Sequence, residues 1–440
     1  MGKHSKKMRI VTLGCKVNQY ESAYIRSKLL ELGWIEAGEG EPCDLIVVNT
    51  CAVTQEAAHQ SRQAISKVAR NKSRHGCLVV TGCYAQVAPE VLGGLKAVDI
   101  VVGNPEKTDI PHLIAQFRPK SQTIIAVSDI QTQKKIEPLP VTRFFERTRA
   151  FLKIQDGCDS FCAYCIVPHA RGKPRSLRPG EVIDLLEAIA GEGYKEVVLT
   201  GIHLGKYGVE RGEERGLVRL LRSIGACGLD MRIRLSSLEP GEISEDLIEI
   251  MATEEWLCPH FHIPLQAGDM GVLEKMGREY SPKEFEALVL KIERTLPLAA
   301  IGVDVMAGFP GETEKAFANT MALIQDLPIS YLHVFRYSRR PGTKAAELPE
   351  HLSPRLIKER AKRLRDLGRE KKKAFYKRCI GFRFKVLSER KVGGKPHLMR
   401  GFTENYLETI FSAPDESPGK LFPVEIKGVV DQKATAEIIS

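Results

Sequence analysis

Three cysteines lie within eight residues in the segment GCDSFCAYCIVP, which covers residues 157–168. Cys158, Cys162 and Cys165 follow the spacing C-x3-C-x2-C. A structural zinc site closes with four ligands, whereas a cubane iron–sulfur cluster on three thiolates keeps one iron open. His169 could complete a four-ligand zinc site, which is the alternative. The spacing is unusual for zinc and therefore favours a cluster whose open iron is the active position.

A second group of three cysteines is spread over the first hundred residues: Cys15, Cys51 and Cys83. Each occupies the last position of a short β-branched run, namely RIVTLGC, DLIVVNTC and CLVVTGC. Helical patterns at 19–33 and 54–70 separate these runs, so the segment predicts βαβ units and a doubly wound parallel sheet. Ligands bind beyond the carboxyl ends of such strands. The three thiols are therefore predicted to converge at one edge of the sheet.

Five further cysteines have no such placement: Cys43, Cys77, Cys227, Cys258 and Cys379. Cys43 and Cys77 lie near predicted strand starts, at the opposite edge or in the core. Since free cysteine behaves as a small buried hydrophobe, we expect both to be structural. All five are predicted to be dispensable for iron content.

The rest of the chain predicts two further domains. Strand patterns at 150–155, 196–202, 231–237, 260–265, 301–309 and 331–338 alternate with amphipathic helices, which indicates a full or partial (β/α) barrel. Beyond residue 379 the helical periodicity ends, and short strands predict a small β-barrel of the oligonucleotide-binding type. The predicted fold is thus α/β, with domains at 8–118, 145–375 and 379–440.

The formal net charge is +10, and one segment carries nearly all of it. Pro354–Arg378 contains 12 Lys/Arg and 3 Asp/Glu, behind the helix start Ser353-Pro354. Such a basic face can be merely solvated, or it can bind the phosphates of a nucleic acid. On the second interpretation, the candidate RNA-binding residues are Arg363, Arg369, Lys372 and Lys373.

Targeting signals are not visible in the sequence. The basic start MGKHSKKMRIVTLG lacks the apolar stretch of a signal peptide, and no apolar run approaches a membrane span. We therefore expect a cytoplasmic protein without a membrane partner. In that compartment, 11 cysteines are thiols or metal ligands rather than a disulfide framework.

The spacing C-x3-C-x2-C resembles the signature of the radical S-adenosylmethionine (SAM) family. The resemblance implies that the open iron of a [4Fe–4S] cluster chelates SAM through its amino and carboxylate groups. An electron from the cluster then cleaves a C–S bond and releases a 5′-deoxyadenosyl radical. Tyr164 occupies the aromatic position before the third cysteine, where members of the family contact the adenine.

The motifs TLGCKVNQYES, VVNTCAVT and VTGCYAQ resemble the N-terminal domain of the methylthiotransferases, a branch of that family. Later motifs continue the resemblance over nearly the whole chain: IVPHARGKPRS, LTGIHLGKYG, HIPLQAGDMGVLEKMGREY, GVDVMAGFPGET and HVFRYSRRPGT. It implies a C-terminal TRAM-type barrel and a second [4Fe–4S] cluster on Cys15, Cys51 and Cys83. The implied reaction replaces C–H by C–S–CH3 with two SAM molecules and an electron donor such as a flavodoxin or ferredoxin.

Further SAM contacts are predicted from strand ends and motifs. Thr200-Gly201 loosely matches the strand-end motif that holds the methionine amino group, although it is not Gly-Gly-Glu. Ser237 and Gln266 lie at later strand ends, within reach of the carboxylate or the ribose. Arg171 could pair the carboxylate in a bidentate manner. GFPGET at 308–313 lacks the P-loop lysine, so we interpret it as a turn near the adenine.

Three substrates fit the branch: threonylcarbamoyladenosine in tRNA, isopentenyladenosine in tRNA, and an aspartate of a ribosomal protein. The motif TLGCKVNQYE resembles the threonylcarbamoyladenosine branch most. An anticodon stem-loop also offers an adenosine at position 37 that can be unstacked into a pocket. We expect 2-methylthiolation of that nucleoside. A non-enzymatic alternative is a tRNA-binding redox sensor with clusters.

Overall fold

The computed structural model describes residues 6–119, 122–144, 147–393, 397–413 and 417–439. The chain forms two compact units. Unit 1 contains Met1–Arg143, Gln155–Leu177 and Ser338–Thr343, and unit 2 contains Phe144–Ile154, Arg178–Tyr337 and Lys344–Ser440. Each unit combines segments that are distant in the sequence, so the two units do not test the predicted domain boundaries. The domains at 8–118, 145–375 and 379–440 therefore remain predictions.

Unit 1 is built on a parallel six-stranded sheet in the order β2-β1-β3-β4-β5-β6. Its strands are β1 (Lys7–Thr12), β2 (Ile35–Glu36), β3 (Cys43–Thr50), β4 (Lys72–Gly82), β5 (Ile100–Val102) and β6 (Ile124–Ala126). The central strands read as continuous apolar runs because both faces of the sheet are covered. The predicted doubly wound sheet is confirmed.

Five helices accompany this sheet: α1 (Lys16–Glu31), α2 (Gln55–Ala69), α3 (Cys83–Val87), α4 (Pro89–Gly93) and α5 (Ile110–Gln116). One apolar cluster joins α2 and α3 to Ile46, Val48 and Val80, and a second joins α1 and α5 to the alternate strand residues. The hydroxyl of Thr54 caps α2 by accepting from the Ala57 amide at 3.0 Å. Cys43 and Cys77 are buried in these clusters, as predicted.

A short antiparallel pair, β8 (Gln155–Asp156) with β9 (Arg175–Ser176), closes the base of a loop in unit 1. The loop holds the C-x3-C-x2-C segment and ends in the one-turn helix α6 (Val167–Arg171). The preceding strand β7 (Ala150–Lys153) belongs to unit 2.

Unit 2 begins with six parallel strands in two sheets, β11-β10-β7 and β12-β13-β14. The strands after β7 are β10 (Glu196–Thr200), β11 (Arg232–Leu235), β12 (His260–Gln266), β13 (Ala300–Ala307) and β14 (Tyr331–Arg336). Helices between them are α7 (Pro179–Gly191), α8 (Gly216–Ala226), α9 (Glu245–Thr253), α10 (Met270–Met276), α11 (Pro282–Thr295) and α12 (Glu314–Asp326). This alternation confirms the predicted partial barrel.

The basic helix α13 (Pro354–Arg378) leads into a closed five-stranded barrel in the order β15-β16-β17-β19-β18. Its strands are β15 (Arg383–Lys391), β16 (Leu398–Thr403), β17 (Glu408–Ser412), β18 (Leu421–Val430) and β19 (Lys433–Ile438). One stretch of the sequence, 398–412, supplies β16 and β17, and another, 421–438, supplies β18 and β19. The turn between β18 and β19 consists of Asp431 and Gln432, both with positive φ, as a two-residue hairpin requires.

Two arginines of β11 join the partial barrel to this C-terminal barrel. Arg232 donates to the carbonyls of Lys385 and Phe402 at 2.6 and 2.8 Å, and Arg234 donates to those of Glu404 and Thr403 at 2.7 and 3.1 Å. Both guanidinium groups also bind the fully buried Glu196. The two barrels are therefore one compact body of packed structure.

No helix within the described residues has the length and apolarity needed to cross a membrane.

Candidate cluster and cofactor site

Cys15, Cys51 and Cys83 lie just beyond the ends of β1, β3 and β4. Their predicted position as the last residue of each strand is thus wrong by one to three residues, because pairing stops at Thr12, Thr50 and Gly82. Cys15 precedes α1, Cys51 follows β3 directly, and Cys83 begins α3. The predicted edge of the sheet is nevertheless the one they occupy.

In the first group of thiols, Cys51 lies against the turn before Cys15. Gly14 has φ +94°, and a Cβ placed on it would meet Cys51 Cβ at 2.9 Å and Cys51 Sγ at 3.1 Å. A glycine is therefore needed for Cys51 to approach the turn before Cys15. Burial raises the pKa of Cys51 to about 11, with the neighbouring Cys83 and Cys15 adding to the effect. Three cysteines brought to one edge of the sheet would hold a cluster with one open iron.

Arg171 at the end of α6 reaches this group. Its Nε donates to Cys83 Sγ at 3.3 Å, and its Nη atoms bind Glu21 at 2.5 Å and Asn18 Oδ1 at 2.8 Å. Lys107 pairs with the same Glu21 carboxylate. The Arg171 side chain is 1% exposed, so this network neutralises buried charges beside the thiols.

The second group of thiols is held by a local loop. Gly157 has φ +83°, and a Cβ placed on it would lie 2.0 Å from the carbonyl oxygen of Lys173. The Cys158 amide donates to the Gly172 carbonyl at 2.9 Å, and the Cys165 amide donates to that of Cys162 at 2.9 Å. All three cysteines are partly exposed. The loop therefore presents its thiols to an incoming cofactor.

Two side chains of this loop relate to earlier predictions. Tyr164, the predicted adenine contact, lies in the turn between the second and third cysteines. The ring of His169, the alternative zinc ligand, packs edge-on against that of Phe161 with centroids 5.9 Å apart. Phe161 itself has φ +45°, a conformation that is strained for an aromatic residue and typical of functional loops.

The remaining predicted SAM contacts lie in unit 2 at the carboxyl ends of neighbouring strands. Thr200 ends β10, Ser237 follows β11, and Gln266 ends β12. Gln266 has φ +60° next to a register shift in β12, which is the type of strain found at ligand sites. Gly201 is partly exposed and Ser237 is exposed. These positions are compatible with the predicted contacts, which remain predictions.

Three side chains on β12, β13 and β14 form a polar group that the sequence did not reveal. His262 Nε2 lies 2.7 Å from Asp304 Oδ1, and His333 Nδ1 lies 3.4 Å from the same oxygen. Asp304 has its pKa lowered below the usual range because hydrogen bonds to His262 and His333 outweigh its burial. The group is satisfied by its own hydrogen bonds.

The four predicted RNA-binding residues all lie on α13. Arg363 pairs with Glu314 at 3.1 Å and Arg369 pairs with Asp366 at 2.5 Å. Lys372 Nζ lies 5.2 Å from the centre of the Tyr376 ring, and Lys373 is exposed. Glu314 of α12 thus neutralises one cation of the basic face in addition to the acids of α13 itself, among them Asp366.

Residues that support the first group of thiols were missed from the sequence. Asn18, Glu21 and Ser22 are buried polar residues of α1, on the same helix as the buried Val17 and Tyr20. The available signal was polar residues at spacings of three and four within an otherwise apolar helix face. That pattern marks polar side chains that need buried partners.

Two family models match the chain. Residues 7–103 match "Uncharacterized protein family UPF0004", and residues 152–324 match the "Radical SAM superfamily". Membership of that superfamily implies SAM and a [4Fe–4S] cluster.

Curated relatives match almost end to end. The chain is 37% identical to the threonylcarbamoyladenosine tRNA methylthiotransferase MtaB of Aquifex aeolicus, covering 91% of this chain and 96% of that one. It is 38% identical to MtaB of Bacillus subtilis, over 94% of this chain and 92% of that one. A tRNA-2-methylthio-N(6)-dimethylallyladenosine synthase of Pelotomaculum thermopropionicum is 32% identical, over 96% and 95%.

The fold is also similar to a solved structure, the radical S-adenosylmethionine methyltransferase TsrM of Kitasatospora setae. The TM-score is 0.57 with 15% identity, covering 90% of this chain and 77% of that one. At that identity the likeness concerns the fold alone. Taken with the matches over most of its length, the two groups of thiols place this chain in the radical SAM methylthiotransferase family.

Proposed function

We propose that the protein attaches a methylthio group to C2 of N6-threonylcarbamoyladenosine at position 37 of tRNA. The observation that carries this proposal is the presence of two three-thiol groups in one compact unit. The relatives named for threonylcarbamoyladenosine are 34–38% identical, and those named for dimethylallyladenosine are 32–35% identical. Dimethylallyladenosine, also called isopentenyladenosine, is therefore the second candidate.

We assign two [4Fe–4S] clusters to the two groups. Cys158, Cys162 and Cys165 would hold the cluster that binds SAM, and Cys15, Cys51 and Cys83 would hold the auxiliary one. When bound, the first supplies the radical that removes a hydrogen atom, and the second supplies the sulfur. The loop cysteines are partly exposed, which suits the exchange of SAM, and two of the three strand-end cysteines, Cys51 and Cys83, are buried, which suits a cluster that stays in place.

The protein side chains bind and orient the reactants. Tyr164, Thr200, Gly201, Ser237 and Gln266 are proposed to hold SAM. Arg171 was predicted to bind its carboxylate, but its present partners favour a role in ordering Cys83. Such positioning decides which C–H bond lies within reach of the radical.

The discriminating experiment uses anaerobically reconstituted protein, dithionite, SAM and two tRNAs that carry either threonylcarbamoyl- or isopentenyl-adenosine at position 37. Mass spectrometry of the digested nucleosides should detect the 2-methylthio product from the first tRNA. If only the second tRNA gave product, isopentenyladenosine would be the substrate instead of threonylcarbamoyladenosine. Cleavage of SAM without product from either tRNA, with a ribosomal-protein aspartate modified instead, would overturn the assignment to RNA.

The RNA contact proposed for α13 has its own test. Replacing Arg363, Arg369, Lys372 and Lys373 by Gln keeps helix propensity nearly unchanged. The tRNA dissociation constant should rise, and the salt slope should flatten by about 0.7–0.9 for each lost phosphate contact. Since Arg363 and Arg369 are paired internally, we expect about two lost contacts rather than four. The control is Arg222→Gln, a change at an exposed arginine of α8. An unchanged salt slope in the quadruple variant would mean that the basic face of α13 is solvated and does not bind RNA.

A further inference from the structure

A cavity of about 650 Å³ lies in unit 1, and its wall contains a chain neighbour of a cysteine from each group. Its wall includes Tyr84, which follows Cys83 in the chain, and Ile166, which follows Cys165. Residues of α2 form one side and Arg340 and Pro341 form another. The volume lies within the usual range for small-ligand pockets. The cavity therefore lies among the elements that carry the two groups, α3 and the loop before α6.

Arg340 is the unusual member of this wall. Arg340 is 8% exposed, and its Nε has no hydrogen-bond partner among the described residues. A buried N–H donor without a partner is costly, so the Nε of Arg340 is available to donate to an anion in the cavity. The segment is fixed in place because the Gln55 amide donates to Ser338 Oγ at 2.8 Å.

A second arginine strengthens the positive wall. Arg62 donates to the hydroxyl of Tyr84 at 2.6 Å and lies 5.8 Å from the centre of its ring. His59 and Glu56 also face the cavity, and Glu56 accepts from Gln60 at 3.0 Å. Two guanidinium groups thus face one carboxylate. A wall with more positive than negative charge suits a phosphate, which pairs with arginine.

We propose that this cavity is an oxyanion site that holds a phosphate of the RNA substrate next to the reacting nucleoside. The inference rests on the proposed function. It adds a phosphate contact in unit 1 to the RNA contacts proposed for α13. Arg340 and Arg62 position the RNA and take no part in the chemistry. A small sulfur oxyanion such as thiosulfate shares the same chemistry and is distinguished by the test.

The test compares the reconstituted Arg340→Gln and Arg62→Gln variants with the wild type in binding to tRNA over a series of KCl concentrations. The Arg340→Gln variant should bind tRNA at least about tenfold more weakly, because a charge-assisted contact is lost. Its salt slope should be smaller by about 0.7–0.9. Arg340→Lys should keep most of the slope because the charge remains. Arg222→Gln is the control and should leave both quantities unchanged.

Iron content and SAM cleavage without tRNA should be unchanged in Arg340→Gln, which shows that the variant is folded. Unchanged tRNA affinity and slope in both variants would overturn the site. Thiosulfate binding to the wild type and to Arg340→Gln is measured by titration calorimetry in parallel. Loss of thiosulfate binding with unchanged tRNA binding in the variant would overturn the assignment of the site to RNA. If the wild type itself neither binds nor modifies tRNA, the proposed function fails instead, so the two failures are distinguishable.

Discussion

The two groups of thiols are built in opposite ways. Cys15, Cys51 and Cys83 come from three strand ends and meet only after the sheet has formed. Cys158, Cys162 and Cys165 lie in one loop whose backbone turns are set within residues 157–173. The first group therefore depends on long-range packing and buried charge, and the second depends on local backbone geometry. On the roles proposed above, the comparison teaches that the site for the sulfur source rests on long-range packing and the site for the exchanging cofactor on local turns.

The largest expected effect separates the two groups by chemistry. Replacing Cys158, Cys162 and Cys165 by Ala should lower iron from about eight to about four per chain and abolish reductive cleavage of SAM. The matched variant at Cys15, Cys51 and Cys83 should also hold about four irons but should retain cleavage and lose the methylthio product. Iron analysis and chromatography of 5′-deoxyadenosine measure both. A folded second variant that fails to cleave SAM would show that the roles are wrongly divided.

The next effect concerns the buried charges behind the first group. Glu21→Gln leaves Arg171 and Lys107 without their shared carboxylate, so we expect a loss of about 3 kcal/mol in the free energy of unfolding. Glu31→Gln on the same helix removes an exposed partner of Lys28 and should cost less than about 0.5 kcal/mol. Denaturant unfolding of the two variants measures the difference. Equal stability would mean that this network does not support the strand-end site.

A smaller effect should be confined to the loop. In Gly157→Ala the new Cβ meets the Lys173 carbonyl, so the loop must shift and iron at the second group should fall. Gly193→Ala is the control, because Gly193 has φ +86° but nothing within 4 Å of an added Cβ. Both variants bear the cost of a positive φ, about 1–2 kcal/mol, so their difference isolates the contact. Equal iron content and SAM cleavage in both would contradict the local origin of this site.

The smallest effect is expected at the five remaining cysteines. Single changes of Cys43, Cys77, Cys227, Cys258 or Cys379 to Ala should leave the iron content unchanged. Four of these residues are buried and Cys227 is exposed, so any cost concerns packing, at roughly 1 kcal/mol per buried site. Colorimetric iron analysis after reconstitution is the measurement. Loss of about four irons in any of these variants would identify the changed cysteine as a further ligand of one of the two clusters.

The sequence predicted what is local or periodic. The loop cysteines, the parallel strands and the helix at Pro354–Arg378 follow from spacing and from alternation of apolar residues. The buried partners of Arg171 could not be predicted, because Glu21 and Asn18 are 150 and 153 residues away from it in the chain. The same holds for Arg340, which unit 1 receives from a short distant segment. Charged residues that pair over long distances in the chain produce no periodic pattern, so the sequence alone does not reveal these pairs.

The arginine pair of β11 has a consequence for how this protein can be divided. If the C-terminal barrel were removed, Arg232 and Arg234 would lose four carbonyl acceptors and remain beside the single carboxylate of Glu196. A truncated chain ending near residue 378 would then expose these arginines to water together with the apolar side chains of Phe375 and Tyr376 that pack into the barrel core, so it should aggregate or unfold. The C-terminal barrel is therefore an integral part of the enzyme's folding unit, and it is not a detachable module that could be exchanged between proteins.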